Sequence, residues 1–444
     1  MPLCLVSKSG VISMNKIMSN FLSLIVLIPV LLSFTGIKPL FAEQKTVNEN
    51  VLETLIDEAL KNNPELKAFE EKINVFKERP LQAGSLDDPR IKLSLLSVPT
   101  DSFSFAQESM TQKQLAVMQK FPYPGKLKLR SSIASQELEA VKEEFLDQKN
   151  KIIMQVKTAY NDILFIDKSI EITTDNRDLL KEFVKIAETK YAVGTGIQQD
   201  VLKAQVELSI MIDRLIILDQ KRKTVEARLN TLLNRPTQMP FLHTEKIKKR
   251  GFKLSFEGLQ KVAEKNHPML LGLKYMIKRY RLSYDLAERD YYPDPDVGIS
   301  YGQRDDGPQG ERAELISAFV TLNLPLWYRT KESRKVAEEK ANIRRVEEQY
   351  NSMRNNVFFN IKNLMAKIEK YDREIDLFKT GLIPQSRSSL ESAISGYTVN
   401  KVDFLTLVDN QITLFNYEID YYGAITNYEN KLAELEAAVG KRLF

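Results

Sequence analysis

The sequence predicts a mainly α fold with a small β part, organised as two structural repeats that each combine long coiled-coil helices with one β-hairpin. Three observations carry the prediction. First, four landmarks recur in one order. ALKNNP at 59–64 returns as AEKNHP at 263–268 (268 − 64 = 204), and Pro122 returns as Pro325 (325 − 122 = 203). Tyr191 returns as Tyr397 (397 − 191 = 206), and LNR at 233–235 is matched by VGK at 439–441 at the same 206. Such a unit is far longer than a helical solenoid repeat. Second, short segments of alternating apolar and polar residues lie between turn signals, the period of a strand. Third, stretches of about sixty residues run almost without proline or glycine, well beyond the usual ~11-residue helix.

The chain opens on a leader. Residues 14–42 place Lys16 before an apolar run at 21–32 and Ala42 before Glu43, the plan of a secretory signal peptide. The run is shorter than the ~20 residues of a membrane span, and Pro29 interrupts it. Residues 1–42 are therefore expected to be a cleaved signal peptide, with Met14 as the better start. No later stretch reaches ~18 uninterrupted apolar residues, so no further transmembrane helix is expected. The single cysteine, Cys4, would leave with the leader, and the mature chain needs no disulfides.

Composition agrees with a helix-rich, ordered chain: 43% hydrophobic and 28% charged residues, with only 17 Gly and 17 Pro. The formal net charge is +5; removing Lys8, Lys16 and Lys38 of the acid-free leader leaves 5 − 3 = +2. That balance argues against nucleic acid as a partner.

The first repeat is expected at 43–250 and the second at 251–444. Each opens with a helix, at 51 to about 83 and at 256 to about 292. Strands follow: Ile91, Leu93 and Leu95 alternate with Arg90, Lys92 and Ser94, and Val297, Ile299 and Tyr301 alternate with Gly298, Ser300 and Gly302. Their hairpin partners are expected at 112–121 and 314–324. Strands of about ten residues match a tilted crossing of a bilayer, and the half-buried alternation fits. Two hairpins give four strands, too few to close a membrane barrel, so strands from several chains must close it; three copies would supply twelve.

Pro122, Pro124 and Gly125, with Pro325 and Trp327, mark the passage from strand to helix, where proline ends the ladder. Tyr123, Trp327 and Tyr328 suit an interfacial aromatic belt. Long helices follow, from about 126 to 190 and from about 330 to 395, the second containing Pro384. A ~60-residue helix is ~90 Å long. Ile152, Ile153, Val156, Ala159 and Tyr160 form one apolar stripe; Val357, Phe358, Ile361, Leu364, Met365 and Ile368 form its counterpart. Tight turns at Gly194 and Gly196, and at Asn400, reverse the chain; Gly and Asn suit the left-handed conformation that ends a helix.

These features together resemble the TolC-like outer-membrane efflux proteins over essentially the whole mature chain. The segments carrying the resemblance are 59–64, FPYPGK at 121–126, YAVGT at 191–195, DVLKAQ at 200–205, LNLPLW at 322–327, YTVN at 397–400 and VDNQ at 408–411. The resemblance implies a homotrimer, a twelve-stranded β-barrel in the cell outer membrane and a periplasmic α-helical tunnel. It also implies a periplasmic adaptor (membrane fusion) protein and an inner-membrane pump of the resistance-nodulation-division or ABC type. It places Asp200, Tyr397 and Asp409 at the periplasmic aperture. Val402 and Thr406 stand where the best-known member has an arginine and a pore-facing aspartate, so the latch is this chain's own.

No catalytic or metal constellation is legible. The two histidines, His243 and His267, share no HxxxH spacing, and no GxSxG or phosphate-loop motif occurs. The sequence therefore reads as a passive duct with no cofactor and no enzymatic activity. A type I protein-secretion channel is the alternative within transport, and an exported coiled-coil structural protein the alternative outside it.

Overall fold

The computed structural model describes residues 51–241 and 247–443; the expected signal peptide at 1–42 and His243 lie outside them. The first half runs α1 (Val51–Asn62), α2 (Pro64–Gly84), β1 (Arg90–Leu96), β2 (Gln112–Lys120), α3 (Lys126–Ala192) and α4 (Gln198–Leu232). The second runs α5 (Phe256–Asn266), α6 (Pro268–Arg289), β3 (Pro295–Gln303), β4 (Leu315–Leu322) and α7 (Glu332–Leu377). A π-helical turn (Phe378–Leu382), α8 (Ile383–Thr398) and α9 (Phe404–Val439) complete it. Both halves follow one element order, so the fold is repeat-based.

The helix expected over 51–83 is two helices. Pro64 occupies the first helical turn, where its missing N–H is harmless, and it pushes Asn63 into an extended conformation (φ −59°, ψ 122°). Asn63 then caps α2, accepting from the N–H of Glu65 (3.0 Å) and of Leu66 (3.3 Å), while its amide donates to Leu232 O (2.9 Å). The helix expected over 256–292 breaks at the equivalent point, His267 preceding Pro268 with φ −69° and ψ 115°.

The helix expected over 330–395 is also interrupted. Pro384 cannot donate to the helical ladder and its ring crowds the carbonyl four residues back; the π-helical turn directly before it absorbs the misfit. By contrast α3 is continuous for 67 residues, a rod of roughly 100 Å at ~1.5 Å per residue. Its predicted stripe is in place: Ile152, Val156, Ala159 and Tyr160 are buried among α1, α4 and α3 itself, with Ile153 packed on them. Val357, Ile361, Leu364 and Ile368 form the matching core on α7, with Phe358 and Met365 beside it.

The four strands form one antiparallel sheet in the order β1-β2-β3-β4. They span 7, 9, 9 and 8 residues, shorter than the expected ten. The register sets Ile91 beside Val117, Val117 beside Ile299 and Ile299 beside Ala318, so Leu93, Leu95, Leu115, Val297, Tyr301, Ile316 and Val320 share one face with them. The expected half-burial of that face is not found. Ile91, Leu93, Leu95, Ile299, Ile316 and Val320 are exposed in the single chain, because no described helix or second sheet covers them.

Candidate functional site

The far ends of the long helices meet in one cluster. Phe183, Ala187 and Ala204 of the first repeat pack with Leu390, Tyr397, Phe404 and Val408 of the second. The α3 turn closes with Gly194 at φ +76°, and the amides of Thr195 (2.8 Å) and Gly196 (3.0 Å) donate to Lys190 O. The second turn closes with Asn400 at φ +58° and the Lys401 amide donating to Gly396 O (2.8 Å). Gly194 and Asn400 thus take the left-handed conformation expected of them. Gly196 does not; its small size matters instead, since a Cβ there would press on Lys190.

Between the turns lies a polar contact. The Lys190 ammonium sits 3.9 Å from the Tyr397 ring centroid and donates to Tyr397 O (3.0 Å) and Asn400 Oδ1 (2.7 Å). The Tyr397 ring is buried against Phe404, centroids 5.6 Å apart. Asp200, in the first turn of α4, faces this group. Burial and the Asp403 carboxylate push its carboxyl above the usual range, and Lys190 only partly offsets them. Burial and Asp200 in turn raise the Tyr397 hydroxyl. Asp403 caps α9 by accepting from Thr406 N (2.7 Å), which holds its own carboxyl low.

The structure therefore joins Asp200 to Tyr397 and leaves Asp409 apart. Asp409 is exposed on α9, where its charge acts on Lys203, itself bonded to Glu207 (2.6 Å). Val402 crowds Gly396, and Thr406 also bonds Asp403 through its hydroxyl (3.1 Å), so both departures from the family pattern have local packing roles. Sequence reasoning missed Lys190 and Asp403. The acid three residues before Thr406, directly after a turn, was a legible cap signal; Lys190 was one lysine among many on a charged helix.

At the opposite end, the strand-to-helix junction of the first repeat docks on the second. Tyr123 stacks on Tyr292 (centroids 4.4 Å, 13° between planes), and its N–H donates to Asp294 (2.7 Å). Lys126 is buried with its ammonium 2.9 Å from Asp294 and 3.1 Å from Asp290. Burial of Asp294 raises its carboxyl, but the Tyr123 N–H and the Lys126 ammonium outweigh this and hold it low. Pro124 O accepts from Arg289 (2.7 Å), and Gly125 takes φ +89° where any Cβ would overlap that guanidinium. Pro122 and Pro124 thus lie in a packed junction, whereas Pro325 and Trp327 occupy an exposed one, with Trp327 75% exposed.

Among the described residues no group of three or more His, Cys, Asp or Glu side chains is placed to hold a metal ion. No described helix is long and apolar enough to cross a membrane. The part suited to lipid is the sheet, whose apolar face is bare. The chain thus joins an amphipathic four-stranded sheet to long helices, of which α3 alone spans roughly 100 Å.

Residues 55–235 match the model of the outer membrane efflux protein family. It is 19% identical over 407 residues to the cobalt-zinc-cadmium resistance protein CzcC of Cupriavidus metallidurans, covering 92% of this chain and 94% of that protein. Its fold is similar to that of CusC, solved in a study of folding and transmembrane channel formation (TM-score 0.74, 14% identity, 88% of this chain and 92% of that one). It is equally similar to the outer membrane protein VceC of Vibrio cholerae (TM-score 0.73, 16% identity, 88% and 96%).

Proposed function

We propose that three copies of this chain close a twelve-stranded barrel and continue it as a helical tunnel. The tunnel conducts substrates passively from a periplasmic adaptor and an inner-membrane pump, and catalyses nothing. The observation that carries this reading is the four-stranded sheet, open at both edges and with a continuous apolar band across one face. Unpaired edge amides are not tolerated in lipid, and four strands cannot close on themselves. Two copies would give only the eight strands of the narrowest barrels, while twelve leave a lumen.

The tip cluster is the closed aperture in this reading. Lys190 ties the two hairpin ends together through Tyr397 and Asn400, and Asp200 sets the charge beside them. Asp409, exposed on α9, adds a ring of three carboxylates that favours cations. Similarity to CzcC supports cobalt, zinc or cadmium ions as cargo, taken up from the pump rather than stored.

Deleting the gene tests the cargo. Cells should become sensitive to cobalt, zinc or cadmium and accumulate the ion, with full rescue by the wild-type gene. Unchanged metal tolerance together with lost protein export would contradict this reading and favour a type I secretion channel.

A further inference from the structure

The two repeats meet inside the chain where β2 pairs with β3 and the first junction docks on α6. We infer that the same contact is reproduced between successive copies of the chain, with Arg329 of one copy paired to Asp88 of the next. In this arrangement β4 pairs with the next copy's β1 at Val320 opposite Leu93. The inference rests on the reading that several copies close the barrel, and adds the register and the residues that set it.

The offsets are those of the sequence repeats, 206 from Asp88-Pro89 to Asp294-Pro295 and 203 from Pro122 to Pro325, and the sheet agrees with their sum. In the first hairpin Arg90 lies opposite Met118. Adding 206 to the first strand and 203 to the second gives 90 + 206 = 296 and 118 + 203 = 321, and Asp296 does lie opposite Thr321. The two hairpins therefore superpose in register with those offsets. Between repeats, Val117 lies opposite Ile299. The same transposition gives 117 + 203 = 320 and 299 − 206 = 93, hence Val320 against Leu93 of the next copy. Likewise Leu115 opposite Tyr301 becomes Ala318 against Leu95, and Gln119 opposite Val297 becomes Leu322 against Ile91.

Each of these pairs places apolar residues on the bare apolar face. A slip by one residue would turn one strand over and set its polar row toward lipid, so the transposed register passes a condition it was not chosen to meet.

The junction transposes in the same way. Lys126 becomes Arg329 (126 + 203) and Asp294 becomes Asp88 (294 − 206), while the stacked Tyr123 and Tyr292 become Leu326 (123 + 203) and Leu86 (292 − 206). Within the chain the first set is occupied: Lys126 and Asp294 are buried together 2.9 Å apart. The second set is complementary in charge and apolarity, yet Arg329, Asp88, Leu326 and Leu86 are all exposed. Among the described residues Asp88 has no ion pair, and the Arg329 guanidinium meets the Tyr328 ring and hydroxyl but no carboxylate. A head-to-tail contact of this type closes a ring where the rotation from copy to copy adds up to a full turn. One acid is not reproduced: Asp290, the second partner of Lys126, transposes to Gly84.

Paired cysteines in a Cys4→Ser background read the register directly, because residues opposite one another on neighbouring strands have Cβ atoms ~4.5–5.5 Å apart. Val320→Cys with Leu93→Cys should give oxidant-dependent linked dimers and trimers on non-reducing gels, and Val320→Cys with Leu95→Cys should not. In parallel, Arg329→Asp or Asp88→Arg alone should lower the temperature at which the trimer dissociates, and the double exchange should restore it. A stable trimer that links in the shifted pair instead, or whose melting ignores the single charge reversals, overturns the inference and leaves the channel reading intact. A wild-type protein that stays monomeric in the outer membrane overturns both.

Discussion

Lys190, on the last turn of α3, holds its ammonium 3.9 Å from the Tyr397 ring on α8 and donates to that residue's carbonyl, bridging the two repeats at their tips. A cation over a buried aromatic ring is worth about 0.5–2 kcal/mol. Removing one to two kcal/mol from this tip contact shifts one subunit's balance between closed and open tips roughly 5–30-fold. Lys190→Met should therefore raise the leak conductance of the reconstituted channel by about that factor. Bilayer recordings that match wild type would show that the tips are held elsewhere.

Asp200 predicts a pH dependence of definite sign. Burial and Asp403 raise its carboxyl in this arrangement, so ionisation weakens the tip contact. The stabilising contribution is complete below the ordinary carboxylate pKa and is lost as pH rises through the raised folded value. Asp403 runs oppositely, since its carboxyl is held low by Thr406 and its cap weakens only in stronger acid. Asp200→Asn should lower leak at neutral pH and flatten its response to mild acid; a steeper response would contradict the assignment. Asp409→Ala should instead change cation selectivity, with little effect on that pH profile.

His267 stands where the first repeat has Asn63, at nearly the same backbone angles, but its side chain caps nothing and its buried Nδ1 has no hydrogen-bond partner. Burial, only partly countered by Asp147, lowers its pKa, so the neutral ring is favoured in the fold. The associated stability is present above the ordinary histidine value of ~6.5 and is lost as pH falls below it. His267→Asn should restore the cap, adding roughly 0.5–2 kcal/mol. Thermal melts at pH 7 and pH 5 check both points: the variant should melt higher and lose its excess sensitivity to mild acid.

Lys126→Met should be far more damaging than its conservative size suggests. It leaves Asp294 buried without its cation, and breaking such a pair from one side costs about 3–5 kcal/mol. The double variant Lys126→Met with Asp294→Asn should recover part of this loss in thermal melts of the folded trimer.

Much of this fold was legible because its signals are local. Alternation at Ile91–Leu95 and Val297–Tyr301 located the strands, and the recurrence of Pro122 as Pro325 located both junctions. The helix breaks at Asn63 and His267 carried the ordinary asparagine-cap and pre-proline signals, but a long periodic pattern overrode them. The π-helical turn before Pro384 depends on how neighbouring helices absorb a missing N–H, which no window of sequence contains. The tip cluster was half legible: the left-handed turns at Gly194 and Asn400 follow from residue type. The pairing of Lys190 with Tyr397 spans 207 positions and depends on how two helical hairpins pack.

The exposed apolar sheet face makes the central claim testable in one measurement. Protein extracted from the outer-membrane fraction and added to planar bilayers should insert as discrete, uniform conductance steps, small in wild type and larger in Lys190→Met. Protein that remains soluble, or that binds the bilayer without ever producing steps in either form, would contradict an efflux channel closed at its helical tips.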